Sequence, residues 1–280
     1  MVQRCLRLFD IFDKLCRRQI IVCQLAYTIT MYEVTVSVPI GQNHLLEAIS
    51  NNISAYLAQV DGTKATLKRK SRSYLCLACS DTFRHQMQHI LQDDVANTLC
   101  LGYKNIFFRH LIDFDSPNFY QNVLIDTMCA FDHKYDAHQL ATIVDVTNNI
   151  YLDGYYNFRM GNMKRRWKNL VDMVLENDYV LQDNQLILEF LQYLLQSVDN
   201  KTQQLSICFD ADSYALYDSN GKVVQALPSF SLDSTAEQEA LVNAICQNVQ
   251  KLKVYHTKAL CQDFCNIANA LFDVEYIQVT

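Results

Sequence analysis

Residues 151–168 read YLDGYYNFRMGNMKRRWK and join two halves of the chain with different element patterns, so the architecture turns on whether they bend or run straight. The first ten set Gly154 among Tyr151, Tyr155, Tyr156 and Phe158, which predicts a tight bend held by large anchors rather than a regular surface helix. The bend reads as a fixed junction. From Met163 onward, Trp167, Leu170, Val171 and Val174 recur at helical spacing, while Lys164, Arg165, Arg166 and Lys168 fall largely outside that face. This predicts an amphipathic helix, basic at its start, with Trp167 on the buried stripe.

Working outward toward the N-terminus, YEVTVSV at 32–38 alternates, is rich in β-branched types and is closed by Pro39-Ile40-Gly41, a strand pattern. Leu45, Leu46, Ile49, Ile53 and Leu57 then mark a helix ending at Asp61-Gly62, and residues 65–70 with 73–79 read as a hairpin returning beside the first strand. Helices follow. Met87, Ile90, Leu91, Val95 and Leu99 define one, begun by Ser80 or Asp81; residues 104–113 and 118–131 predict two more, separated by Asp115-Ser116-Pro117. Residues 136–149 are read as helix, although Thr142, Val144, Val146 and Thr147 favour a strand.

Toward the C-terminus, Leu186, Ile187, Phe190, Leu191, Leu194, Leu195 and Val198 predict a helix buried on more than one side. Strands are expected over 205–210, 214–217 and 222–225, the last two joined through Ser219-Asn220-Gly221. A helix starting at Asp233 or Ser234, a strand over 252–256, a helix over 258–272 and a strand over 274–279 complete the chain. That order implies a crossover joining a parallel pair. The fold class expected is α+β: a small N-terminal α/β unit, a helical middle, and a C-terminal mixed sheet with covering helices.

LDGYYNFRM at 152–160 resembles the leucine, acidic, glycine, aromatic, then Phe-Arg-Leu signature of the YtxC-like putative sporulation proteins, with Met160 in place of the leucine. The likeness continues through Leu170, Val171, Asp172 and Val174, LILEFLQYLL at 186–195 and LSICFDADSYALYDSNGKVV at 205–224. It covers about residues 150–256 best and extends back to the first strand near Met31. The resemblance implies a cytoplasmic protein of endospore-forming bacteria, sporulation-associated and without an established activity. It brings no catalytic residues with it.

With 280 residues, half of them hydrophobic, the chain can bury one large core or two smaller ones, and two modules, 31–150 and 151–280, are the division expected here. Only 6 Gly and 3 Pro argue against long disordered linkers. Residues 1–30 differ in composition: Arg4, Arg7, Lys14, Arg17 and Arg18 against Asp10 and Asp13 give +3, leaving −9 of the overall −6 to the remainder. They read as an extension to the folded unit; a targeting or membrane-surface helix is the other reading, although the apolar patch Ile20–Ile29 is interrupted by Gln24 and lacks a small-residue cleavage site. The 11 cysteines, many in apolar contexts, fit a reducing cytoplasm better than a secreted disulfide framework. No apolar run reaches the roughly 18 to 20 residues that would span a bilayer.

Chemistry-bearing patterns are few. Cys76-Leu77-Ala78-Cys79 has metal or redox spacing and Cys261 with Cys265 sit at i and i+4, yet residues three apart on a strand face opposite ways. His85, His89 and Asp93 share a helix face, with Arg84 beside them to repel a cation. Phosphate-cradle and hydrolase-elbow motifs do not occur. The reading therefore assigns no catalytic, cofactor-binding or metal residues and no cofactor, and expects function through contacts with an unknown protein partner. Two basic clusters stand out: 68–72, holding Lys68, Arg69, Lys70 and Arg72, and 159–168, holding Arg159, Lys164, Arg165, Arg166 and Lys168. The second is the candidate binding surface, and together the two support nucleic-acid binding as the alternative. Arg159, following Phe158 at the bend, is expected to cap backbone carbonyls or pair with a carboxylate. A thiol or histidine metal enzyme is the third reading.

Overall fold

The computed structural model describes residues 30–113, 116–146, 148–176, 179–197, 202–210, 213–228, 230–231 and 234–279. Apart from Thr30, the extension expected over 1–30 lies outside the described residues. Tyr32–Thr280 form one compact unit with an α+β fold built on two sheets.

Strand β1 (Met31–Pro39) buries Tyr32, Val34, Val36 and Val38, the alternation that its sequence carries. It lies inside a four-stranded sheet of order β2-β3-β1-β4, with β2 (Thr63–Arg69) and β3 (Arg72–Ser80) forming the antiparallel hairpin. Helix α1 (Asn43–Gln59) lays Leu45, Leu46, Ile49, Ile53 and Leu57 on that hairpin. Helix α2 (Arg84–Asn97) then passes through a π-helical turn, Thr98–Tyr103, into α3 (Lys104–Ile112). All six residues of the wide turn are buried. A Cβ on Gly102 would come within 2.5 Å of Leu45 Cδ2 and 3.1 Å of Phe230 Cδ1, so only a bare backbone lets the turn pack this close to α1.

Helix α4 (Phe119–Phe131) opens with a capping box in which Asn118 and Gln121 satisfy each other's backbone N–H groups. Helix α5 (His133–Ala141) stops well short of residue 149. The chain then forms β4 (Asn149–Tyr151), parallel to β1 with Val36 opposite Ile150. The helix expected over 136–149 is thus corrected in its second half, where the β-branched residues prevail and a distant strand supplies the pairing.

Helix α6 (Leu152–Phe158) and helix α7 (Gly161–Leu175) follow with one short break between them, and α8 (Asn184–Gln196) packs against α4. Helix α8 fully buries Ile187, Leu191 and Leu194 on one face; Leu186, Phe190 and Leu195 are only partly covered, so burial on several sides is not what the structure has. The second sheet has the order β7-β6-β5-β8-β9. Strands β5 (Thr202–Asp210), β6 (Ser213–Asp218) and β7 (Val223–Val224) form antiparallel neighbours, while β8 (Val249–His256) and β9 (Asp273–Gln278) run parallel to β5. Helix α9 (Ala236–Cys246), N-capped by Thr235, leads to β8, and α10 (Gln262–Leu271) links β8 to β9, giving the expected parallel pair. One apolar core runs from the first sheet through the helices to the second.

Candidate interaction surface at the α6–α7 junction

The bend expected around Gly154 lies five residues further on. Residues 152–158 are helical, Gly154 sits inside that helix, and a Cβ there would meet only Tyr151 Cβ at 3.4 Å. The turn falls at Arg159 and Met160: Arg159 N–H donates to Tyr155 O at 2.9 Å, Lys164 N–H donates to Met160 O at 2.9 Å, and Met160 is fully buried. A buried thioether, not a flexible glycine, fixes the junction.

Three side chains anchor α6. Asp153 receives a two-pronged bond from Arg72, NH1 to Oδ2 at 2.9 Å and NH2 to Oδ1 at 2.5 Å, and the same guanidinium reaches Ser37 Oγ at 3.1 Å and lies over the Tyr151 ring. Hydrogen bonding from Arg72 holds the Asp153 carboxyl below the usual carboxylate range. Tyr156 stacks on Tyr103 with centroids 4.8 Å apart, and Tyr103 O–H donates to Gln42 Oε1 at 2.8 Å. Tyr155 O–H donates to Asp145 O at 2.9 Å. Phe158, expected as a fourth anchor, instead projects into solvent with 87% of its surface exposed.

Helix α7 presses Met163, Trp167, Val171 and Val174 inward; each apolar side chain of this kind contributes roughly 1.5–3 kcal/mol on full burial. Trp167 Nε1–H donates to Asp136 Oδ2 at 2.8 Å on α5, and the same oxygen accepts from Lys104 Nζ at 3.2 Å on α3. Lys104 and Asp136 are each 1% exposed. Such a buried pair holds together because either ion alone would bear an uncompensated desolvation penalty. Arg166 adds a bond to Asp136 Oδ1 at 3.4 Å and another to Asp132 Oδ2 at 3.0 Å, with its guanidinium over the Tyr135 ring. Three helices are thereby tied at one carboxylate. Beside it, burial pushes the Cys100 thiol up and the His133 imidazole down, and the His133 ring meets Asn97 Oδ1 at 3.0 Å.

The five basic residues singled out at 159–168 separate into different environments. Arg166 and Lys168 are bound to carboxylates, the latter to Asp172 at 2.7 Å. Lys164 is half-buried with Nζ 4.6 Å from the Tyr156 centroid. Arg159 is exposed and lies over the Tyr155 ring at 5.3 Å, with neither the carbonyl cap nor the carboxylate expected of it among the described residues. Arg165 is exposed and has no carboxylate partner among the described residues. In the first cluster, Arg72 is drawn away to Asp153, while Lys68, Arg69 and Lys70 stay exposed on the hairpin. Because Asp153 begins α6, the bridge sets the hairpin end beside that helix.

The other patterns stay apart. Cys76 and Cys79 lie on β3 in the first sheet, whereas Cys261 and Cys265 belong to α10 against the second. His89 Nδ1 pairs with Asp93 Oδ2 at 3.2 Å on an exposed helix face. Among the described residues no group of three or more His, Cys, Asp or Glu comes together that could hold a metal ion. A recess of about 420 Å3 at the carboxyl ends of β5 and β8 is lined by Ser234, Glu237, His256 and Lys258. Its Glu237 carboxylate accepts the Cys261 N–H at 3.0 Å and its His256 Nδ1 meets Lys258 O at 2.9 Å, so both groups serve the local backbone.

Lys104, Asp136, Asp153 and the exposure of Phe158 are what sequence reasoning missed. Lys104 had one visible signal, a lone cation within the apolar run from Leu99 to Phe108.

Fold and surface together define an α+β protein whose two sheets flank a helical middle centred on a buried ion pair. The chain belongs to the YtxC-like family, whose model matches residues 103–247, about half of its length. The match begins next to Lys104, and so takes in the α3–α5–α7 cluster, and it ends near the start of β8. No curated protein and no solved structure matches the chain. Among the described residues, no helix is long and apolar enough to cross a membrane.

Proposed function

We propose that this protein is a cytoplasmic, sporulation-associated factor that works by holding another protein at the α6–α7 junction rather than by catalysing a reaction. Family membership supports the sporulation setting. The observation that carries the contact role is Phe158, 87% exposed within the family-matched region and followed by the exposed Arg159, with Arg165 in the first turns of α7. An aromatic ring with arginines beside it is the composition enriched at interface hot spots. Lys164, Arg166 and Lys168 serve that surface from beneath, through their rings and carboxylates. The same reading keeps residues 1–30 as an extension and treats 31–150 and 151–280 as the two halves that the junction joins.

The test is genetic. Charge reversal at Arg159 and Arg165 in the native host is expected to lower spore yield to the level of a deletion strain, with the protein still present at normal abundance. Normal sporulation in both the deletion strain and the double variant would remove the proposal. Nucleic-acid binding is the second reading, favoured by the Arg72–Asp153 bridge that sets Lys68, Arg69 and Lys70 beside α6. Against it, the Tyr151, Tyr155 and Tyr156 rings already carry cations of this chain, which occupies the faces that bases would stack on.

A further inference from the structure

We infer that the partner presents an apolar pocket rimmed by carboxylates, with Phe158 as the knob that enters it and Arg159 and Arg165 as the cations that meet the rim. This rests on the protein-contact reading above and adds the chemistry of the other side. The charge pattern makes the choice. Residues 31–280 carry −9 overall, yet the exposed cations at the junction, and those of the adjoining hairpin at Lys68, Arg69 and Lys70, have no printed carboxylate partner among the described residues. A positive surface on an acidic body draws an acidic patch and repels nothing that the patch carries. Phe158 supplies the apolar centre, and the cations around it supply the polar rim of an interface.

A membrane fits the same residues less well. One ring and a few cations give only weak, reversible attachment, since anionic lipid contributes about 1 kcal/mol per cation and stable anchoring takes a second signal. Nucleic acid would need open ring faces, and these are covered.

The experiment places a photo-reactive benzoylphenylalanine at the exposed Asn157, in the full chain, in sporulating cells of the native host. Cross-linked species are digested and sequenced. The expected product joins residue 157 to a protein segment rich in Asp and Glu around apolar residues. Its yield should fall about tenfold in Phe158→Ser and in Arg165→Glu, and recover for Arg165→Glu when acidic residues in the identified segment are changed to Lys. Cross-links to nucleic acid, to lipid, to a second copy of this chain or to a segment without carboxylates would overturn the inference, as would a yield unchanged by either variant or an absence of cross-links. Circular dichroism of the purified variants separates lost binding from lost folding. A sporulation defect combined with a carboxylate-free cross-link would sink the partner chemistry while leaving the contact role standing; normal sporulation in the variants with an acidic cross-link would do the reverse.

Discussion

The inner and outer sides of one short stretch treat the same kind of residue in opposite ways. On the inside, Arg166 and Trp167 close on Asp136 together with Lys104, and every cation has an anion within reach. On the outside, Arg159 and Arg165 lie exposed near a ring that is almost wholly in water. The difference teaches that a run of basic letters is not one feature. Charges that face a neighbouring helix are structural, and those one position away around the same helix are free to meet something else.

Four variants sharpen or break that contrast. Asp136→Ala leaves the Lys104 ammonium buried without its anion and should lower stability by about 3–5 kcal/mol, read as a shift in the urea midpoint. A loss below 1 kcal/mol would mean the inner cluster is not what joins the three helices. Arg72→Ala should lower stability by about 2 kcal/mol at neutral pH, because Asp153 loses its charged donors while half-sheltered from water. The sign of the pH effect follows from the depressed carboxyl of Asp153. Stabilisation by this bridge is present above the ordinary value of 3.8 and is lost as pH falls through the lower folded-state value. The gap between wild type and variant, measured by urea unfolding from pH 7 downward, should therefore close only below about that value; a gap that closes between pH 5 and 7 would contradict it.

Gly154→Ala should raise stability by about 0.5–1 kcal/mol, since a helix interior favours alanine and the space for its methyl group exists. Destabilisation in a thermal melt would restore the bend that the sequence suggested at this position. Phe158→Ser should change stability by less than about 0.5 kcal/mol, because an exposed ring buries little area. A larger loss would move Phe158 from the outer side of the comparison to the inner one.

What could be read from the sequence follows contact range. The strand 32–38, the helix from Leu45 to Leu57 and the turn at Ser219-Asn220-Gly221, where Gly221 takes φ +76°, are set by neighbours within a few residues. Trp167 was placed on the buried face of α7 by periodicity alone. The features that stayed hidden depend on distant partners. Asn149–Tyr151 becomes a strand because β1, more than a hundred residues earlier, offers its edge. Arg72 looked like one member of a basic cluster because Asp153 is 81 residues away. Gly154 drew the bend to itself, while the residue that sets the turn, Met160, is recognisable only from the pocket that takes it. Of the five candidate cations, Arg159 and Arg165 are exposed, and no local pattern distinguishes them from Arg166.

The π-helical turn at Thr98–Tyr103 has an implication for descent and for engineering. A wide turn accommodates an additional residue, and in an α-helix each residue rotates the chain by about 100°. Deleting one residue there, such as Leu101, would let α2 and α3 fuse into a regular helix and swing Lys104 away from Asp136. The central ion pair thus depends on a length count six residues long, and a single-codon deletion in that window should be far more damaging than most substitutions within it.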